Sequence, residues 1–564
     1  MIIKRPFLDI LLLAVYCSFT ILLFLTTGQS LAQDSVNDPK ISQEAVEESF
    51  IELLEKTRDA SFKQKKDLIK RLTQLEDEQV PKVLKAMLQG SLFYTKDENK
   101  RIVFATSSDQ GYSITDVRSN QAIGEVGKRE IKKFRVNNSI RTLLRNSLAQ
   151  LNLNTEDSTL RMKAVKELSR DLTDETGELL RAQLNLETDS EVKSLLQMAL
   201  AMVDIRSEDK ATRLTAVRTL ADNLSPPVRG RLGALLDKNA DGAFKESDLE
   251  VREAALQALK NIGFKLKLFQ FTETLFFGLS LGSVLALAAI GLAVTFGVMG
   301  VINMAHGELI MIGAYTTYVI QLLLPNHIDL SLFVAIPAAF IISGLFGIAI
   351  ERSIIRFLYG RPLETLLATF GVSLILQQLV RTVFSPLNRS VATPSWMSGS
   401  LEINSALSLT LNRLYIIVFA FMVFLVLLAI LKKTRLGLEV RAVSQNRAIA
   451  KTMGIRTEWV DAMTFGLGSG IAGVAGVALS QLTNVGPNLG QSYIIDSFMV
   501  VVFGGVGNLW GTLIAGMSLG IANKFLEPFA GAVLAKILVL VFIIIFIQKR
   551  PRGLFPQKGR AVEN

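Results

Sequence analysis

Two unlike patterns of apolar and polar residues divide the chain. From Ile41 to about Ile262 charged residues alternate with apolar ones at helical spacing. Within this stretch Arg161, Ala164 and Leu168 share one template with Arg213, Ala216 and Leu220 and with Arg252, Ala255 and Leu259, the copies lying 52 and 39 residues apart. Ala and Leu four apart fall on one helix face, and Ala lets a neighbouring helix approach closely, which predicts stacked helical repeats. Pro226 and Pro227 predict a helix boundary. Ile102 to Ala105 and Tyr112 to Thr115 alternate instead at a period of two around Ser107 to Gly111, predicting a small β insertion.

Beyond Lys267 the pattern changes to long apolar runs, near 272–298, 308–325, 331–350, 363–385, 413–431, 460–483, 493–526 and 531–547. No Lys or Arg occurs between Lys267 and Arg352, which is room for several crossings of about 20 residues each. The fold class expected is therefore all-α: a polytopic helical membrane domain of about nine spans or re-entrant segments, preceded by a helical repeat domain. Cations gather at Arg352, Arg356 and Arg361, from Lys432 to Lys451, and at Lys549, Arg550 and Arg552, so these connections are expected on the cytoplasmic side. Counting back three crossings from Arg352 puts the repeat domain outside. Counting forward, an odd number of crossings must follow Thr483 if the basic tail is to lie inside. The run 493–526 must then break at Gly504, Gly505, Gly507, Asn508 and Gly511, as a turn between two helices or a re-entrant break. Close helix packing explains the same glycines equally well.

Composition fits this division. Of the 564 residues 49% are hydrophobic, mean hydropathy is +0.36, and 61 Lys and Arg against 51 Asp and Glu give a net charge of +10. The excess cations read as topology signals in short loops, so no nucleic-acid partner is expected. Cys17 is the single cysteine and His306 and His327 are the two histidines, which excludes a disulfide framework, a thiolate cluster and a multi-histidine metal site. At the N-terminus, Lys4 and Arg5, an apolar stretch from Phe7 to Leu25, and Ser30, Leu31 and Ala32 have the layout of a secretory signal over residues 1–32, an uncleaved anchor being the other reading. Bulky Tyr16 before Cys17 argues against lipidation. The expected organisation is thus a signal (1–32), an exported helical domain (33–266) and a membrane domain (267–564).

Three segments carry candidate chemistry. Asp237, Asn239, Asp241 and Asp248 stand at positions one, three, five and twelve of a calcium-loop pattern with Gly242 at six, although Lys245 occupies position nine. A solvated Asx-rich turn accounts for the same residues. Asn303, His306 and Glu308 interrupt an apolar stretch beside Gly297, Gly300 and Gly307, the first two spaced to share a helix face near the cytoplasmic boundary. An ionisable group within a span is expensive enough to suggest function, whereas an ordinary helix cap is the plain alternative. The stretch from Thr434 to Arg456 predicts a short amphipathic cytoplasmic helix ending at Gly454.

This last stretch, with Arg441, Ala442, Gln445, Asn446, Ala450 and Gly454, resembles the coupling loop of ATP-binding cassette permeases and is similar to that of branched-chain amino acid permeases, Gln445 replacing the family's acidic residue. The Asn303 to Glu308 and Gly504 to Gly511 segments extend the resemblance over about 266–560. It implies a bacterial inner-membrane import permease, not an enzyme, working with ATPase subunits, a second homologous permease subunit and a periplasmic substrate-binding protein. No Gly-x4-Gly-Lys-Ser/Thr occurs in the chain, so ATP hydrolysis is expected elsewhere. The long exported domain, resembling HEAT-like repeats, and the segments from Asn484 to Tyr493 and Asn523 to Pro528 are similar to urea-transport permeases. A neutral polar solute needs donors and acceptors along its path, for which Asn303, His306, Glu308, Gln377, Gln378 and the Gly504, Gly505, Gly507, Asn508 turn are the candidates. A branched-chain amino acid or small amide is the alternative solute, and a membrane-anchored scaffold the alternative function.

Overall fold

A computed structural model describes residues 43–555 except 76, 98, 109, 110 and 171; the expected signal segment lies outside these. Two compact units divide between Lys265 and Leu266.

The first unit opens with α1 (Gln43–Asp59), α2 (Phe62–Thr73) and α3 (Gln79–Gln89). A sheet follows, built from β1 (Leu92–Thr95), β2 (Ile102–Ser108), β3 (Gly111–Asp116), β4 (Ala122–Val126) and β5 (Ile131–Lys133). Its order is β4-β3-β2-β1-β5, antiparallel throughout. The insertion is therefore larger than the hairpin expected. Strands of three to five residues, such as β5 and the exposed β4, are too short to display a periodicity. Leu92 joins Phe50, Leu84, Met87, Ile140 and Leu144 in one core.

Helices α4 (Asn138–Leu153), α5 (Ser158–Leu168), α6 (Asp174–Leu186), α7 (Ser190–Asp204), α8 (Lys210–Leu220) and α9 (Pro226–Ala234) complete the unit together with the start of α10 (Leu249–Met299). The template residues have one geometry. Asp157 and Asp209 cap α5 and α8. Arg161 donates to the Thr155 and Glu156 carbonyls, Arg213 to Ser207 and Glu208, and Arg252 to Glu246 and Ser247. Arg161 also makes a two-pronged contact with Glu187, and Arg213 makes the same contact with Glu246. Each arginine thus closes its own entry loop, and Arg161 and Arg213 also reach the loop before a later helix, while Ala164, Ala216 and Ala255 are buried against neighbours.

The same geometry corrects the calcium reading. Asp248 occupies the position of Asp157 and Asp209, accepting from Glu250 N at 3.1 Å, and is paired with Lys210. Asp237 is held by Lys245 Nζ at 3.1 Å, and Asn239 and Ala243 close a tight turn with Gly242 at φ +79°. No group of three or more His, Cys, Asp or Glu among the described residues is placed to hold a metal. Asp237, Asn239, Asp241 and Asp248 form an ordinary capped turn.

The second unit contains the rest of α10, then α11 (His306–Leu323), α12 (Ile328–Ser353), α13 (Pro362–Phe384), a two-stranded ribbon of β6 (Ser400–Asn404) and β7 (Leu407–Thr410), and α14 (Leu411–Lys433). Two short helices, α15 (Arg435–Gln445) and α16 (Arg447–Thr452), lead to α17 (Thr457–Ser480), α18 (Leu489–Gly504) and α19 (Leu509–Lys549). Six of these helices are long and apolar enough to cross a membrane, and α18 is a shorter apolar helix. In α19 the helix breaks at Gly531, three residues after Pro528, and folds back. Phe542 and Phe546 of its second half return to Phe503 at the end of α18. The chain then bonds Leu554 N to the Phe503 carbonyl at 2.9 Å and Phe555 N to that of Gly504 at 3.2 Å. Three apolar segments therefore follow Thr483.

Helix α17 is the axis of this unit. Its glycines meet other backbones directly: Gly468 faces Gly291 of α10, Gly473 faces Gly313 of α11 and the Ala339 carbonyl of α12, and Gly476 faces Ile310. Small residues allow this approach, which is how apolar helices gain contact where burial from water does not drive association.

Candidate functional site

Helix α10 ends at Met299, and Gly300 at φ +67° reverses the chain. The next residues run back beside α10 rather than leaving it. His306 Nε2 reaches the Ala288 carbonyl at 2.9 Å, and because a carbonyl only accepts, that nitrogen carries the proton. Ala288 lies eleven residues before Met299, about 16 Å along the helix at 1.5 Å per residue. Thr369 Oγ1 of α13 accepts from Met304 N at 3.1 Å and steadies this return. Asn303 Oδ1 accepts from Ala305 N at 3.0 Å, so Asn303 shapes the turn into α11 instead of sharing a helix face with His306.

Helix α11 consequently begins deep inside the unit, with Glu308 in its first turn. Glu308 Oε1 accepts from Gln377 Nε2 at 2.7 Å and from Ser373 Oγ at 3.0 Å. Ser373 stands at the midpoint of the 23-residue α13, so Glu308 is level with the middle of that helix. The backward run of residues 300–305 thus sets the start of α11 alongside the interior of α10 and not beyond its end. Asn303, His306, Glu308 and Gln377 are all buried. Asn303 Nδ2, His306 Nδ1 and Glu308 Oε2 have no hydrogen-bond partner among the described residues. The first turn of α18 abuts this point, Gly490 packing on Gly307. One helical turn beyond Gln377, Arg381 bonds Asn488 Oδ1 at 2.8 Å. The arrangement combines one carboxylate, neutral donors and acceptors, and two helix starts in an otherwise apolar interior, which suits it to hydrogen-bonding a small polar molecule.

The other sequence candidates go elsewhere. Gln378 points away from the cluster and is exposed. Gly504, Gly505, Gly507 and Asn508 form the α18–α19 turn, where Gly505 (φ +102°) and Gly507 (φ +80°) reverse the chain and Asn508 caps α19 through Gly511 N. Asn508 Nδ2 donates to the Phe555 carbonyl, so this turn is covered by the tail and is not joined to Glu308. Thr369 and Ser373 were missed; they precede Gln377 by eight and four residues, one face of α13, and that spacing was the available signal.

The amphipathic stretch is two helices where one was expected. Asn446 breaks it and caps α16, accepting from Ile449 N at 3.0 Å. Ala450 is buried with Val440, Val443 and Val460, so it faces its own unit. Arg441, Gln445 and Gly454 (φ +87°) are exposed, Ala442 is half-buried, and Leu438, Ile449 and Met453 present apolar side chains to the outside.

Comparison with known proteins bears on this geometry. A family model described as "Branched-chain amino acid transport system / permease component" matches residues 274–547. The chain is similar to the high-affinity branched-chain amino acid transport system permease protein LivH of Salmonella typhimurium, 34% identical over 295 residues, covering 50% of this chain and 95% of that protein. It is similar to the permease protein BraD of the corresponding Pseudomonas aeruginosa system, 30% identical over 298 residues, 51% of this chain and 96% of BraD. The ribose import permease protein RbsC of Escherichia coli is 27% identical over 255 residues, 43% of this chain and 75% of RbsC. No solved structure matches it.

Proposed function

Since the chain belongs to the branched-chain amino acid transport permease family, we propose that it is the membrane-spanning subunit of an ATP-binding cassette importer and carries a small N–H-bearing solute past Glu308. The observation that supports this reading is the buried cluster of Glu308, Ser373 and Gln377, with an unpartnered carboxylate oxygen and the adjoining Asn303 and His306. A buried carboxylate accepts from amide or ammonium N–H groups, and a carbonyl oxygen finds a donor in Asn303 Nδ2. Urea fits this set, since it is neutral and none of the cluster's hydrogen bonds comes from Lys or Arg. A branched-chain amino acid is the second reading. The relatives LivH and BraD favour it, and Arg381 with the starts of α11 and α18 supplies what a carboxylate would need.

The exposed apolar residues Leu438, Ile449 and Met453 beside Arg441, Gln445 and Gly454 form the surface on which we place an ATPase subunit. The family context adds a substrate-binding protein, a second permease subunit and a bacterial inner-membrane location, with the N-terminal unit on the outer side. Reconstitution of the complex in proteoliposomes tests the reading: ATP-driven uptake of labelled urea, with labelled leucine as the comparison, supports it. Uptake of leucine alone moves the substrate to the second reading, and ATP hydrolysis without uptake of any polar solute contradicts the transport role.

A further inference from the structure

A second buried charged group lies at the opposite end of α17. Asp461, 3% exposed, receives both prongs of Arg447, Nη1 on Oδ1 at 3.1 Å and Nη2 on Oδ2. The same guanidinium covers the Tyr359 ring with its centre 3.9 Å from the centroid. Arg447 is the first residue of α16, and Tyr359 closes the 3₁₀ turn Ile355–Leu358 between α12 and α13. One side chain therefore ties the coupling segment to α17 and to the α12–α13 connection. A planar fork that can stack is what Arg offers and Lys lacks.

Beside it is a carboxylate with no seat of its own. Glu351 is 2% exposed, and its Oε2 has no hydrogen-bond partner among the described residues, the 3.6 Å to Arg352 Nε being too long. Helices α12 and α17 run antiparallel here: a Cβ at Gly347 would lie 3.3 Å from the Phe465 carbonyl. Glu351 is one turn beyond Gly347 and Asp461 one turn before Phe465, so the two carboxylates stand level. The neighbouring Arg356 is engaged with Glu458 at 3.3 Å. A buried carboxylate without a full partner is costly, and it persists most readily where another conformation pairs it.

We propose that Arg447 is the positioning residue that couples the ATPase-docking segment to the substrate route, seated on Asp461 in the present conformation and on Glu351 in the alternate one. A shift of α16 then moves α12 against α17, and α17 bears through Gly473 and Gly476 on α11, which carries Glu308. Closely packed helices with two discrete arrangements transmit such a shift. The inference rests on the reading of the chain as an ATP-driven permease.

The test is uptake per ATP hydrolysed by the full reconstituted complex, with retention of ATPase subunits measured in the same preparations. Arg447→Ala is expected to retain the ATPase subunits and hydrolysis while uptake per ATP falls by about 5- to 150-fold, the range of an ordinary coupling free energy. Arg447→Lys, which keeps the cation and loses the fork, is expected to fall less, and it carries the measurement if the alanine variant assembles poorly. Glu351→Gln is expected to lower uptake per ATP with assembly unchanged. Wild-type coupling in both Arg447 variants overturns the clamp, and wild-type coupling in Glu351→Gln overturns the second seat. Failure of the transport reading itself is seen separately, as absent ATP-driven uptake in the unsubstituted complex.

Discussion

Gln377 donates to Glu308 at 2.7 Å across 69 residues of sequence, joining the midpoint region of α13 to the first turn of α11. This contact exists because the chain reverses at Gly300 and runs back along α10 before α11 starts. A helix beginning deep inside the unit exposes its first N–H groups and a carboxylate where a continuous helix would hide its backbone.

The glycine seam of α17 carries the packing that fixes this point. Replacing Gly473 with Leu drives a Cβ to 2.5 Å from the Ala339 carbonyl, against backbone that has no room to yield. Overpacking of this kind costs about 1–3 kcal/mol or more. The expected outcome is reduced membrane abundance and a lower unfolding temperature in detergent, whereas Gly371→Ala, whose Cβ meets nothing within 4 Å, leaves both unchanged.

In the N-terminal unit, Glu187 is held below the usual carboxylate range chiefly by the hydrogen bonds from Arg161. A carboxyl with a lowered folded value contributes stability that is present above its unfolded pKa, about 4.3 for Glu, and is lost as pH falls through the folded value. Protection of the amides over α5 to α7 in the full chain, measured relative to the intrinsic exchange rate at each pH, is expected to fall as pH is lowered from 5 toward about 3. Arg161→Ala is expected to raise exchange already at neutral pH and to flatten the acid dependence.

The tail closes the α18–α19 turn through Gly505, where a Cβ would come within 2.7 Å of the Phe555 carbonyl and φ is +102°. Gly505→Val is therefore expected to release Leu554 and Phe555 from Phe503 and Gly504. Faster amide exchange at 553–555 with unchanged exchange in α12 checks this outcome.

The side of the N-terminal unit follows from the cationic connections. Leu186, 74% exposed, is a suitable reporter. Leu186→Cys in intact cells is expected to react with an impermeant thiol reagent, and labelling only after lysis would reverse the topology.

The apolar runs and their basic connections carried the architecture in their length and charge, because spans need about 20 apolar residues and loops record their side. The three apolar segments after Thr483 were readable in the same way. The depth of Glu308 was not, since it depends on His306 meeting Ala288, a tertiary contact without a periodic signature. Gln377 and Gln378 are adjacent, so composition alone cannot choose between the buried and the exposed one; the hydroxyls of Thr369 and Ser373 at four-residue steps would have chosen Gln377. Asp248 matched a calcium-loop position because the pattern does not distinguish a ligand from a helix cap, and the repeat of Asp157 and Asp209 four residues before each template arginine was the sign that it is a cap. The break at Asn446 was signalled by a capping residue inside an apparently continuous amphipathic stretch.

The most direct test of the site is the initial rate of ATP-driven solute uptake by Glu308→Gln at matched membrane abundance, with ATPase subunits still bound. Loss of a charged acceptor from the route is expected to lower uptake by about tenfold or more, the size of one charge-assisted hydrogen bond. An uptake rate and apparent affinity equal to those of the unsubstituted protein would contradict the assignment of the Glu308, Ser373 and Gln377 cluster to the substrate route.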